Sequence, residues 1–316
     1  MSTVVVTGAA GYIGGQISIM LQDQGYRVVG IDRREYPRHL SGVFDRFVHN
    51  DFASNAGLNT LIQEQPEAIM HCAATSLVGP SMKNPDEYYD NNVVKTLKML
   101  DIVTQAMPRT RVVFSSSAAV YGTPVMTPCD EVDPKEPISP YGESKLMNEM
   151  MMASYARAYG LNYVAFRYFN ACGADPRARH GEEVNGSHII TRVLKCIRDN
   201  EVFELFGNDY PTPDGTCVRD YVHVEDIARA HVRALDANVP SGVYNLGSNE
   251  GTSNHQILMA VQRVTGKLPE VRVAARREGD PAELTASSAK FSLLIPDWRQ
   301  WTLDDMVDHA WKWCNR

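Results

Sequence analysis

The sequence predicts an α/β protein with a doubly wound parallel sheet and a smaller, interleaved C-terminal α/β domain. Two observations carry this. Short apolar runs alternate with helical stretches through the first half, the order of a parallel sheet covered on both faces. A glycine-rich turn, "VTGAAGYIGG", joins the first run to the first helix.

The elements follow in order. "TVVVTG" reads as a strand, 11 to 24 as a helix, and "YRVVGID", "RFVHND" and "AIMHCAA" as strands. A helix from about 85 to 106 and the strand "RVVFSSS" complete the alternation. Such sheets bind ligands at the carboxyl ends of their strands. Thr7-Gly8, Asp32, Asp51 and Ser115 to Ser117 stand at those ends. The next helix opens at "SPYGESK", with Pro140 suited to its first turn. Its Leu146, Met147, Met150 and Met151 fall at helical spacing and are expected in the core or at a subunit interface.

After "NYVAFRYFNACG" the loops lengthen, which places a boundary near 175 and domains at 1–174 and 175–316. The loop "GADPRARHGEEVNGS" is long enough to suggest function or mobility. Helices at 188–200, 225–237, 254–265 and 303–313 and strands in "VFELFG", "GVYNLG" and "VRVAA" make up the smaller domain.

With 316 residues, 44% of them apolar, the chain can bury a sizeable core. A net charge of -7 and a pI near 5.7 argue against nucleic acid or an anionic membrane as partner. "MSTVVVT" enters a strand without a basic leader, and no apolar run approaches the ~20 residues of a membrane span, so a soluble, cytoplasmic protein is expected. Cys72, Cys129, Cys172, Cys196, Cys217 and Cys314 show neither disulfide nor zinc spacing, and no metal site is expected.

Gly8, Gly11 and Gly14 allow a tight turn and close backbone approach, so that a pyrophosphate can rest on the helix N-terminus. Asp32 ends the second strand, 18 residues after Gly14. Its carboxylate can accept both ribose hydroxyls of NAD and repels a 2′-phosphate, although Arg33 and Arg34 could pair with that phosphate. The pattern favours NAD.

Tyr141 and Lys145 lie four residues apart, on one helix face. A free phenol titrates near ~10, and a neighbouring cation favours the phenolate, so the tyrosine can serve as a base. Ser117 ends a strand whose tip lies near the dinucleotide, and the three residues are expected to converge there.

With these residues in view, the chain resembles the extended short-chain dehydrogenases/reductases and, among them, the UDP-glucose 4-epimerase family. "TGAAGYIGG", "YYDNNVVKTLKML", "SSSAAVYG", "SPYGESK", "RYFNACGA", "FGNDYPTPDGTCVRDYVHVEDIA", "YNLG" and "RREGD" carry the resemblance over nearly the whole length. It implies a Rossmann-type NAD domain and a nucleotide-sugar 4-epimerase of the UDP-glucose/UDP-galactose type, the alternative being an epimerase of another UDP-sugar (N-acetylhexosamine, pentose or uronic acid) or a nucleotide-sugar reductase. Tyr141 would take the proton of the sugar 4-hydroxyl, with its pKa lowered by Lys145 and the nicotinamide cation, and Ser117 would bond the same oxygen.

The resemblance further implies that NAD is held by Gly8, Gly11, Tyr12, Ile13 and Gly14, and by Asp32, Arg33, Asp51 and Phe52. Cys72, Ala73, Ala74, Asn92, Ser115, Tyr141, Lys145 and Tyr168 would complete the cofactor site. For the UDP-sugar it implies Ser117 and Asn170, with Arg219, Arg277 and Asp280 at the diphosphate and Leu205 and Phe206 along the uracil. Phe206 reads equally as a core aromatic. A homodimer built on helices near 92–106 and 142–158 is also implied.

Three positions depart from the family: Ser76 replaces a lysine near the cofactor, Gly186-Ser187-His188 replaces Asn-Asn-Leu, and Leu284 stands where room at the sugar is set. Ala118 and Ala119 occupy positions that hold Asp-Glu in the sugar 4,6-dehydratases, so elimination has no acid-base pair.

Overall fold

The computed structural model describes residues 1–316 except 184, 185, 187, 237 and 278–280. In chain order the first elements are β1 (Thr3–Thr7), α1 (Tyr12–Asp23), β2 (Arg27–Asp32), β3 (Arg46–His49), α2 (Asn55–Glu64) and β4 (Ala68–His71). Then come α3 (Val78–Ser81), α4 (Pro85–Tyr88), α5 (Lys95–Ala106), β5 (Arg111–Ser117), α6 (Pro140–Tyr159), β6 (Tyr163–Tyr168) and β7 (Asn170–Cys172). The rest are α7 (Ile189–Asp199), β8 (Phe203–Phe206), β9 (Val218–His223), α8 (Val224–Arg233), β10 (Gly242–Leu246), β11 (Gly251–Ser253), α9 (Asn254–Thr265), β12 (Val271–Ala274), β13 (Glu283–Leu284), α10 (Ala289–Leu294) and α11 (Leu303–Cys314).

The chain divides into two compact units: Met1–Gly122, Glu131–Tyr168 and Ala228–Tyr244 form one, and Thr123–Asp130, Phe169–Ile227 and Asn245–Arg316 the other. The sequence places a single boundary near 175. The chain instead leaves the first unit at Phe169, where β6 gives way to β7: the Phe169 amide bonds the Leu246 carbonyl at 3.1 Å, and β7 pairs with β9.

The first unit is built on a seven-stranded sheet in the order β10-β6-β5-β4-β1-β2-β3. β1 lies between β2 and β4 and runs parallel to both. The winding reverses at β1 and β4, so their carboxyl ends, at Thr7 and His71, flank the crevice where such sheets bind ligands. β1, β2, β4, β5 and β6 are buried along nearly their whole length; Val5, Val29, Ile69, Val112 and Ala165 of the sheet join Leu61, Met99, Leu100, Val103 and Met152 of the helices in one core.

The helical run 85–106 contains a π turn over Tyr89–Val94. The Asn92 carbonyl accepts from the Thr96 hydroxyl at 2.6 Å and from Asn148 Nδ2 at 2.9 Å, so the widened turn is tied to α6. α6 starts at Ser139, whose hydroxyl accepts from the Gly142 amide, with Pro140 in its first turn. It buries a polar row, Ser144, Lys145, Asn148 and Glu149, with Met152 beyond it. Met147 and Met150 are 41% and 62% exposed, which removes them from the core. A chemically occupied site consumes the face that a packing helix would fill with apolar groups.

The second unit holds β11, β9 and β13 in one sheet with β7 on β9, and a parallel pair of β8 and β12. α7, α9 and α11 enclose its core through Val193, Leu194, Ile257, Val261, Met306 and Val307. β9 was hidden in the sequence inside the long motif. The helix expected over 225–237 ends at Arg233. Asp220 of β9 is fully buried and accepts from the backbone of Ser248, Asn249 and Ala286, fixing the loops beside it.

Candidate active site

The glycine turn requires glycine at two points. At Gly8, with φ of 71°, a Cβ would lie 2.7 Å from the Ala73 amide nitrogen; at Gly14 it would lie 2.2 Å from the Gly8 carbonyl oxygen. Gly11 leads into α1 without a side-chain cap, and the first turn, including Tyr12 and Ile13, carries no acidic residue. The helix therefore presents uncapped N–H groups and its positive end, with the Arg34 guanidinium against Gly11 and 3.7 Å from Asp32 Oδ1. Asp32 is 7% exposed; its Oδ2 accepts from the Ala10 amide at 2.9 Å and its Oδ1 from the Arg34 amide at 2.8 Å. Each oxygen keeps a second lone pair for a ribose hydroxyl. These residues fit NAD: a backbone cradle for the pyrophosphate and a carboxylate for the ribose. Arg33 is exposed, and its carbonyl accepts from His49 Nε2 at 3.0 Å.

Other expected contacts are partly committed to the fold. Asp51 is bonded by Lys95 Nζ at 2.7 Å; burial pushes its carboxyl up, but the ammonium outweighs this and holds it below the usual range. Phe52 packs edge-on against His71, ring centroids 4.9 Å apart. Asn92 clamps the loop beyond Ala73 and Ala74: Oδ1 accepts from the Thr75 amide at 2.8 Å, and Nδ2 donates to the Thr75 carbonyl and the Ser144 hydroxyl, both at 3.0 Å. Tyr168 donates to Ser115 Oγ at 2.8 Å and lies 2.6 Å from His231 Nε2. Burial pushes the Cys72 thiol up to about 11, so it is a neutral wall group.

His71, beneath the turn, lies 2.8 Å from Thr7 Oγ1 and 2.9 Å from Thr96 Oγ1, and burial pulls its pKa down to about 3. Folded His71 therefore stays neutral where unfolded histidine, near 6.5, takes a proton. Its contribution is complete above about pH 6.5 and is lost as pH falls toward 3, at up to about 1.4 kcal/mol per pH unit. Urea titrations of His71→Asn and the parent should show a shallower fall in stability between pH 6 and 4 for the variant; equal slopes would mean that folded His71 is protonated.

Ser117, Tyr141 and Lys145 converge at the end of β5 and the start of α6. The Ser117 hydroxyl accepts from the Ala119 amide at 3.2 Å and acts on the Tyr141 phenol, whose pKa it lowers. Lys145 Nζ donates to the Ser115 carbonyl at 2.6 Å and lies 4.8 Å from the Phe114 ring and 5.8 Å from the Tyr141 ring. One expectation is corrected here. Burial raises the Tyr141 phenol, Tyr88 adds to the rise, and only the Ser117 hydroxyl opposes it. Lys145 is pulled down to about 8, chiefly by burial. Its ammonium is turned toward the Ser115 carbonyl, so the protein alone does not favour the phenolate.

In the second unit Arg219 donates to the Val218 carbonyl at 2.6 Å and the Pro281 carbonyl at 2.7 Å. Leu284 stands opposite Arg219 in the β13–β9 register. Asn170 Nδ2 donates to the Asp220 carbonyl at 2.9 Å. Leu205 is buried, Phe206 is half-buried, and the Arg277 guanidinium lies 4.2 Å from the Phe206 centroid. Asp280 lies outside the described residues.

The sequence pattern of the NAD dependent epimerase/dehydratase family matches residues 4–247. The chain belongs to this family. It is 42% identical to the UDP-glucose 4-epimerase of Halalkalibacterium halodurans, over 98% of this chain and 95% of the relative. Its structure is similar to that of the Brucella ovis UDP-glucose 4-epimerase in complex with NAD, with a TM-score of 0.93, 39% identity and coverage of 99% of this chain and 98% of the other. The Bifidobacterium longum UDP-glucose 4-epimerase in complex with NAD+ and UDP gives 0.89, with 31% identity and coverage of 99% and 98%.

Sequence reasoning missed groups that support this family member's site. Glu149 is the next i+4 step after Tyr141 and Lys145, a signal that could have revealed it. It forms a buried pair with Arg167, at 3.0 Å to Nε and 2.6 Å to Nη2, and accepts from the Ser116 hydroxyl at 2.5 Å. Among the departures, the Ser76 carbonyl accepts from the Tyr88 hydroxyl at 2.9 Å. His188 Nδ1 bonds Glu182 Oε1 at 2.7 Å, and Glu182 also accepts from the Thr191 hydroxyl, so a carboxylate already serves the start of α7. Ser187 lies outside the described residues.

Proposed function

We propose that this chain is an NAD-dependent UDP-sugar 4-epimerase of the UDP-glucose/UDP-galactose type, with Ser117, Tyr141 and Lys145 as its catalytic residues. The observation that carries the reading is the gathering of Ser117, Tyr141 and Lys145, with the Lys145 ammonium 5.8 Å from the Tyr141 ring, in the unit that carries the uncapped glycine turn. Bound NAD supplies a hydride acceptor, a hydride donor for the return, and a positive ring that favours the phenolate. Tyr141 takes the proton of the sugar 4-hydroxyl and later returns it, while the Ser117 hydroxyl holds the same oxygen. The 4-keto sugar turns between the two steps, which inverts the centre. Arg219 and Arg277 bind the diphosphate, Asn170 the substrate, and Leu205 and Phe206 the uracil. Ala118 and Ala119, immediately after Ser117, offer no acid or base for elimination.

The test is to incubate the purified protein, without added cofactor, with UDP-galactose and with UDP-N-acetylgalactosamine, and to resolve the 4-epimers by anion exchange. Conversion of UDP-galactose supports the reading; no conversion even after NAD is added sinks it. The ratio of the two rates measures the room beside Leu284.

The protein is also proposed to be a cytoplasmic homodimer. No helix among the described residues is long and apolar enough to cross a membrane. Val94, Leu97, Met147 and Met150, on the 89–106 helical run and α6, are exposed apolar side chains, 38% to 62% accessible, that a second copy could cover. Sedimentation equilibrium should give twice the chain mass and Met150→Glu a lighter species; a monomeric parent would refute the dimer.

A further inference from the structure

Arg192 belongs to none of the motifs that carry the family resemblance, yet it reaches the ring assigned to the uracil. It lies on α7, half-buried, with its guanidinium carbon 5.6 Å from the centroids of both Phe203 and Phe206. Arg277 lies 4.2 Å from the Phe206 centroid. Two guanidinium groups therefore share one half-buried ring, and neither has an ion-pair partner among the described residues. The neighbouring Arg276 differs: it packs 4.3 Å from the Tyr210 ring, and its charge is met by Asp209 at 2.7 Å. Glu201 and Glu204 border a surface groove with Arg192, but neither pairs with it.

Aromatic packing fixes the direction of a guanidinium without neutralising it. Two such cations at one ring repel each other unless an anion lies within reach of both, and a diphosphate offers several oxygens that the planar guanidinium fork can bond two at a time.

We propose that Arg192 is a substrate-binding and specificity-determining residue: with Arg277 it forms a paired guanidinium site, anchored on Phe206, for the diphosphate of a nucleoside diphosphate sugar. The inference rests on the nucleotide-sugar reading above and deepens it. Arg192 selects for two linked phosphates over a nucleoside or a single phosphate, and contributes to substrate affinity rather than to proton transfer.

The experiment is calorimetric titration of the NAD-loaded protein with uridine, UMP and UDP, together with kcat and KM for UDP-galactose. Arg192→Met keeps the apolar stem and removes the charge; Arg192→Lys restores a cation without the planar fork. Arg192→Met should weaken UDP about ten- to hundredfold and uridine less than threefold, raise KM in the same proportion and leave kcat within about twofold. Arg192→Lys should recover part of the UDP affinity. Equal losses for uridine and UDP would overturn the proposal, because Arg192 would then only support the ring. Unchanged UDP affinity in Arg192→Met would overturn it as well. Failure of the unaltered protein to bind UDP would instead defeat the parent reading, and the inference with it.

Discussion

Tyr141→Phe is expected to lower kcat by about two to four orders of magnitude while leaving NAD bound. The substitution removes one oxygen and keeps the ring, so its packing against Tyr88, centroids 6.4 Å apart, survives. It leaves the Ser117 hydroxyl as the only oxygen of the pair, and serine has no accessible ionisation to replace the phenol. The direction of the pKa shifts makes the expectation sharper. In the protein alone the phenol is raised and Lys145 is lowered to about 8, both first through burial, so the reactive phenolate–ammonium combination is the minor form. Activity should rise with pH as the phenol ionises, level off once Lys145 begins to lose its proton at about 8, and decline only where the phenolate is fully formed and the ammonium is still being lost. The measurement is UDP-galactose turnover over pH 6 to 10 beside the NAD content of the purified variant. Normal turnover by Tyr141→Phe would remove Tyr141 as the base; loss of NAD together with turnover would make its role one of cofactor binding.

Glu149→Ala should cost about 3–5 kcal/mol of stability, because it strands the Arg167 guanidinium in the interior. The side chains of Arg167 and Glu149 are only 4% and 5% exposed. Arg167 would keep its bonds to the Tyr121 hydroxyl, at 2.8 Å, and the Glu131 carbonyl, but lose its counter-charge. Natural domains are stable by only about 5–15 kcal/mol, so the loss is a large share of the total. Replacing both partners, in Glu149→Met with Arg167→Met, should recover much of it, since the desolvation cost of two charges disappears with them. Urea unfolding of the three variants decides the matter: a loss below about 1 kcal/mol for Glu149→Ala would mean that water reaches the pair. The same carboxylate raises the pKa of Lys145, so the single variant should also move downward the lower break of the activity profile, which Lys145 sets.

The local order of the first half was legible because each strand is a short apolar run bounded by polar residues. The glycine turn was legible for a stricter reason: only a residue without Cβ fits where backbone atoms lie 2.2 to 2.7 Å from its position. The methionines of α6 illustrate the opposite case. Their spacing marked one helix face as apolar, but the face turned inward is the one bearing Lys145, Asn148 and Glu149, whose polar groups find partners on β5, β6 and the π turn. Periodicity records contrast between faces and is silent about buried polar groups that are satisfied by distant segments.

What the sequence determined by itself was the doubly wound sheet, the cradle at Gly8 to Gly14, the terminal carboxylate of Asp32 and the i+4 pairing of Tyr141 with Lys145. All of these follow from spacing within a few turns or strands. Tertiary structure alone decided the rise of the Tyr141 phenol, the neutrality of His71, the Glu149–Arg167 pair and the approach of Arg192 to Phe206. Each depends on groups brought together from separate segments, where burial and neighbouring charge, rather than residue type, set the chemistry.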